Sequence, residues 1–320
     1  MPGPTTPNRV FHACLGVATC PKGSNGGTPM GGVISAALSV SRSINNIMSA
    51  GSKSPTVSYP SSPSVELTVT KYYGGFIDFK SAPGVTTPIS MDVMLGDETE
   101  LDGNDLIFLK GSTATTLRCK NMFLNDISYK FSLEGAFTTT LKYVGWIISN
   151  CTNSNDFSAS LTGTVPNRRN YNIGASDIGG FPSSALTSIS IQDSISRQYV
   201  LEFASRANYA AYMTLPIKST VSLEGLASSS LDGYSLQDIS TACNNFVDDK
   251  KTFKIVTCGG VASTYGLGNA SLVSLGYSGG DASGGNMTVS ASFEGLQDAK
   301  DLKTVWVATD DDHQKGECEC

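Results

Sequence analysis

Charge is scarce in this chain. Asp, Glu, Lys and Arg make up 16% of it, against about 25% in ordinary soluble domains. Charged residues are depleted where protein covers protein, so the shortage points to a chain that shares much of its surface with neighbours. Histidine is scarcer still, with only His12 and His313. A Ser-His-Asp site would have to use one of them, and no Gly-x-Ser-x-Gly elbow leads into a helical pattern; the chain is not expected to be an enzyme. No apolar run approaches the about 18 residues of a membrane helix. The stretch from Met1 to Pro7 carries no basic-then-apolar leader, so synthesis in the cytoplasm without signal-led export is the expectation. The basic pairs Arg168-Arg169 and Lys250-Lys251 are small beside a net charge of −6. An acidic balance repels phosphate, which argues against tight nucleic-acid binding.

The residues that could carry chemistry read more simply as structure. Eight cysteines (Cys14, Cys20, Cys119, Cys151, Cys243, Cys258, Cys318 and Cys320) fit no zinc or haem spacing. They are expected as reduced, partly buried thiols; the competing reading is that some pairs, such as Cys14 with Cys20, oxidise once outside the cell. Asp310-Asp311-Asp312-His313 reads as a solvated charge run rather than a metal site. The glycine-rich stretch from Ser278 to Asn286 lacks a following Lys-Ser/Thr and joins two strand patterns, so it reads as a turn and not a phosphate cradle. Asp97, Glu98, Glu100 and Asp102 do not have calcium-loop spacing and read as an acidic loop. Trp146 and Trp306 each follow a strand pattern and are expected as core or interface anchors. No catalytic, cofactor-binding or metal-ligating residue is expected.

What the chain has in quantity is Gly (33), Ser and Thr, with 40% hydrophobic residues and a mean hydropathy of −0.05. That mixture favours strands and turns over helices. The length suggests about two domains.

Those two domains resemble each other. Ile34 to Arg42 and Ile189 to Arg197 both alternate apolar and polar residues and end in Ser-Arg. Ile195, Tyr199 and Phe203 then recur at four-residue spacing, and in the first half Ile44, Ile47 and Met48 play that part, which predicts a short flanking helix in each half. A proline (Pro63, Pro216) and a further strand pattern follow. Later, Leu106 to Lys110 aligns with Phe253 to Thr257, Leu117 to Asn121 with Tyr265 to Asn269, Leu124 to Tyr129 with Leu272 to Tyr277, and Phe137 to Tyr143 with Met287 to Phe293. The last of these alternates cleanly, with Met287, Val289, Ala291 and Phe293 on one face and Thr288, Ser290 and Ser292 on the other. The expected architecture is mainly β: two tandem β-sandwich or barrel-like modules, each with one flanking helix. The first module spans 1–165 with an N-terminal arm and an insertion at about 71–104. The second spans 166–310 with an insertion at about 225–250, and 311–320 form a polar tail.

At Leu275 to Val289, at Ser188 to Phe203 and at Asp126 to Gly145 the chain resembles the major tail tube proteins of tailed bacteriophages. The resemblance implies a virion structural protein that is made in the host cytoplasm and stacks as rings into a hollow conduit for genome delivery. It implies strands lent to one continuous barrel and, for a doubled module, three chains per ring with pseudo-six-fold symmetry. The partners implied are further copies of the chain, the tape measure and terminator proteins, a sheath where the tail has one, and genomic DNA that passes through without specific binding. Thr138, Thr140, Ser290 and Ser292 are then candidates for the wet lumen, and residues 1–30 with the acidic insertion for ring-to-ring contacts. Two readings compete: a tail hub built from the same module, and a β-rich host-binding adhesin.

Overall fold

A computed structural model describes residues 12–20, 27–97 (less 49, 52, 55, 56 and 62), 115–151, 165–174, 186–201, 208–226, 248–257, 262–279 and 287–307 (less 298–301 and 303). The structure is mainly β, as the Ser/Thr/Gly-rich composition predicts. The first half contributes β1 (His12–Cys20), β2 (Thr28–Pro29), β3 (Val33–Ser41), β4 (Ile44–Ile47), β5 (Val57–Pro60), β6 (Ser64–Tyr72), β7 (Ile89–Asp97), β8 (Thr115–Ser132), β9 (Thr138–Gly145) and β10 (Ile147–Cys151). The second contributes β11 (Tyr171–Gly174), β12 (Leu186–Ser194), β13 (Arg197–Leu201), β14 (Asn208–Met213), β15 (Lys218–Leu226), β16 (Asp248–Thr257), β17 (Ala262–Ser278), β18 (Thr288–Leu296) and β19 (Val305–Val307).

One antiparallel pairing pattern occurs twice. In the first half β3 pairs with β6, β6 with β9 and β9 with β8. In the second, β12 pairs with β15, β15 with β18 and β18 with β17. The registers correspond too. The row Leu38–Leu67–Tyr143–Leu124 crosses the first four strands, and Ile191–Val221–Phe293–Leu272 crosses the second four. Irregularities fall at matching places: Val33/Ser35 and Leu186/Ser188 on the outer strands, Leu124/Asp126 and Leu272/Ser274 on the long ones.

The long strands β8 (18 residues) and β17 (17 residues) each serve two layers. Their C-terminal parts complete the four-stranded sheets. Their N-terminal parts pair with β7 and β16, which pair in turn with β1 and β11. Asn121 (φ 56°) and Asn269 (φ 46°) mark the change of layer; asparagine tolerates this left-handed conformation better than most residues. Between the layers lies one core that runs through both halves, with Val17, Met91, Val93, Leu67, Tyr143, Ile127, Val221, Leu267 and Phe293 in a single buried cluster.

Three expectations change. None of the described residues is helical: the helices expected after Arg42 and after Ser194 are replaced, over the described residues, by the hairpins β4·β5 and β13·β14. A spacing of four keeps two residues on one side of a strand as well as of a helix, so Ile195 and Tyr199 fit either. The alignment of Ile34 with Ile189 is two residues out of register, since Leu38, not Ala36, occupies the place of Ile191. A shift of two preserves the face, which is why the patterns match. Finally, the span 71–104 read as an insertion contains β7, the first-half counterpart of β16. The strand expected at 106–110 lies outside the described residues, as do residues 227–247 of the second insertion expected at about 225–250; its ends belong to β15 and β16.

Candidate assembly site: a strand junction and two open edges

The two four-stranded sheets are joined edge to edge by β8 and β12. Seven residue pairs run antiparallel from Ser188 opposite Ser132 to Ser194 opposite Asp126, with Ile191 opposite Tyr129 and Ile189 opposite Phe131. The result is one eight-stranded sheet in the order β3-β6-β9-β8-β12-β15-β18-β17. On its core side Ile127, Tyr129, Phe131, Ile189 and Ile191 are all buried. Gln192 Nε2 and Ser194 Oγ both donate to Asp126 Oδ2 (2.9 and 3.1 Å) on the other side.

Two further contacts lock this junction. Tyr73 and Phe76, on the chain between β6 and β7, stand edge-on to Tyr129 and Phe131 of β8, and reach Tyr171 and Tyr265 of the second half at centroid distances of 6.2 and 5.3 Å. Aromatic pairs of this geometry contribute about 0.5–1.5 kcal/mol each beyond their burial. On the far side, the β13·β14 hairpin, extended by β19, lies over the first half. Tyr199 packs on Trp146 (5.1 Å) and Phe123 (6.3 Å), and Trp306 meets Phe123 edge-on (5.4 Å). The Arg197 guanidinium sits 4.7 Å from the Phe123 ring centre and donates to the carbonyls of Val85 (2.6 Å) and Leu124 (3.3 Å).

The sheet ends in two edges. Among the described residues, β3 pairs only with β6, and the part of β17 beyond Ala270 pairs only with β18. These are the counterparts of β12 and of the C-terminal part of β8, the two strands that meet inside the chain. Burial follows the pairing. Val40 is 52% exposed, whereas Asp193 at the same place in β12 is 1% exposed. Tyr277 is 38% exposed, whereas its counterpart Tyr129 is 1%. An unpaired strand offers a row of N–H and C=O groups to any complementary strand.

Asp193 is a polar insertion into an otherwise apolar position. Ser219 Oγ and Tyr265 OH both donate to its Oδ1 in short hydrogen bonds, where the first half has Val40, Val65 and Leu117. Burial pushes its carboxyl up to about 6, against the two hydroxyl bonds that pull it down and with the Asp126 charge adding to the rise. Elsewhere, Arg118 grips the buried Asp92 through Nε (2.7 Å) and Nη2 (2.8 Å) between β8 and β7. Both networks escape sequence reading, because an isolated Asp in a strand pattern reads as surface.

The face of the sheet opposite the core is hydroxyl-rich. Thr138, Thr140, Ser290 and Ser292, the expected lumen residues, all lie on it, with Thr68, Ser128, Ser190, Thr220 and Ser222 beside them. Thr70 and Thr140 hydroxyls meet at 3.1 Å. Its charges are mixed: Glu66 pairs with Lys142 at 2.9 Å, and Asp126, Glu224 and Glu294 outnumber Lys130 and Lys218 by one.

Of the other residues singled out in the sequence, Trp146 is buried and Trp306 partly buried in the hairpin contact. Cys20 and Cys119 are buried. The glycine-rich stretch joins β17 to β18, strand to strand; its residues 280–286 lie outside the described residues, as do Glu98, Glu100, Asp102 and the run from Asp310 to His313. No family model matches the chain, and no curated protein matches it in sequence.

Proposed function

We propose that this chain is a ring-forming structural subunit, made of one module duplicated in tandem, whose rings stack into a hollow tube. The observation that carries the reading is the β8·β12 junction: each half presents one strand that receives and one that is received, and the chain uses only one of each. β17 and β3 are left as the same complementary pair. Applying the internal junction between chains puts Leu38 of one copy opposite Tyr277 of the next, and Val40 opposite Leu275. Repetition of a head-to-tail contact closes a ring when the rotation allows, and closure removes the edges.

Three chains would give 24 strands. At about 4.8 Å per strand and a tilt near 45°, the backbone barrel would be roughly 50 Å across, enough for duplex DNA. The hydroxyl-rich, slightly acidic face suits a wall along which a polyanion slides without being held, since a basic wall would bind phosphate. Together with the resemblance to phage tail tube proteins, this supports a virion tail-tube subunit with no catalytic activity, assembled in the host cytoplasm with further copies of itself and with the tape measure, terminator and any sheath proteins. Negative-stain electron microscopy of concentrated protein follows stacking directly. Hollow three-fold rings or tubes are the expected outcome; a protein that stays monomeric at high concentration overturns the reading, and closed trimers that never stack favour a tail hub.

A further inference from the structure

We propose that the β4·β5 hairpin is a clasp for a second copy of this chain and seats on that copy at the end of β17 and β18. The inference rests on the ring reading and adds to it a second contact, outside the sheet. Within the chain the equivalent contact already exists, because β13·β14 leaves β12 at the β8 junction and lies on the first half over Phe123 and Trp146. The two hairpins match pair for pair. Ile44 faces Pro60 and Ile47 faces Val57, as Arg197 faces Met213 and Val200 faces Ala210. Each is closed at its base by the same bond, Ser61 N–H to Ser43 O (2.8 Å) and Thr214 N–H to Ser196 O (2.9 Å).

Their surroundings differ. On the face that docks, Ala211 is 1% exposed, whereas its counterpart Ser58 is exposed and Ile44, beside it on the same face, is 67% exposed. A lone two-stranded hairpin is marginal in water, so this one gains by packing its Ile44 face on a neighbour. The landing place is open at Val273 and half-buried at Ser271 and Leu296. Ser271, Val273 and Leu296 occupy in the second half the places of Phe123, Asn125 and Trp146 in the first, and Val273 is 51% exposed. Both sides have changed together: Arg197 over Phe123 becomes Ile44 over Ser271, with Val273 and Leu296 as apolar neighbours. A stacking cationic contact has become a small aliphatic one, which fits a second copy of this chain.

A benzophenone amino acid placed at position 44 of the full chain tests this. In assembled particles, photo-adducts are expected on residues 268–275 or 294–297 of another chain. Adducts elsewhere in assembled particles overturn the clasp and leave the ring reading standing, whereas protein that never assembles overturns both. The variant Ile44→Asp, exposed and therefore compatible with folding, is expected to raise the concentration needed for assembly at least about tenfold with an unchanged Tm. An unchanged assembly threshold overturns the proposal.

Discussion

Asn121 and Asn269 are the same hinge in two copies of one pattern. Each is left-handed, each precedes the switch of a long strand from one layer to the other, and each has a glycine of the neighbouring strand close by. A Cβ on Gly145 would lie 2.9 Å from the carbonyl oxygen of Lys120; one on Gly295 would lie 2.7 Å from that of Gly268. Gly145→Ala and Gly295→Ala are therefore each expected to cost about 1–3 kcal/mol, read as a lower Tm. Gly135→Ala, where nothing lies within 4 Å, should leave the Tm unchanged.

The Asp193 carboxyl gives the chain a defined pH response. Its folded value is raised from 3.8 to about 6, so between these the folded state holds a proton that the unfolded chain has lost. Stability from this group is complete below about pH 4 and falls as pH rises to about 6, by roughly 2–3 kcal/mol in total. Denaturant titrations of the wild type and Asp193→Asn should diverge across that interval and run parallel above it. Equal slopes throughout would refute the assignment.

Arg118 and Asp92 test the opposite case. Asp92 is fully buried against the guanidinium, so Arg118→Met leaves a buried carboxylate without its cation. A loss of about 3–5 kcal/mol is expected by chemical denaturation. Adding Asp92→Leu to the Arg118→Met variant removes the buried charge and should recover much of that loss. A single variant as stable as the wild type would show that the pair holds nothing in place.

The open edge predicts a soluble variant. Val40 is half-exposed on β3, and a lysine there opposes strand addition. Val40→Lys should keep the stability of the wild type within about 0.5 kcal/mol and lose ring formation by electron microscopy and sedimentation. Assembly at the wild-type concentration would show that β3 is not the joining strand.

Much of the sheet is legible in the sequence. The alternation of Met287 to Phe293 is β18, that of Phe137 to Tyr143 is β9, and their correspondence survives in the register of Tyr143 and Phe293. The hairpins are not legible, since Ile195 and Tyr199 lie four apart and that spacing suits a strand as well as a helix. Nor is the role of β7: its Met91 and Val93 match β16 in pairing but not in residue type. The polar core cluster is hidden for another reason. Asp193 takes the place of Val40, Ser219 that of Val65 and Tyr265 that of Leu117, so three changes that support one another look unrelated in the linear sequence. The open edges carry no motif at all; they are visible only as the strands that the pairing leaves over.

Because β8 and β12 belong to one polypeptide, their union is unimolecular and indifferent to dilution, while any union of β3 with β17 of another copy is governed by mass action. An assembly built this way has alternating permanent and reversible seams. On dilution it would part only at every second seam, releasing intact double units and never a single half, and the covalent seams would halve the number of independent bodies that must meet to make each turn.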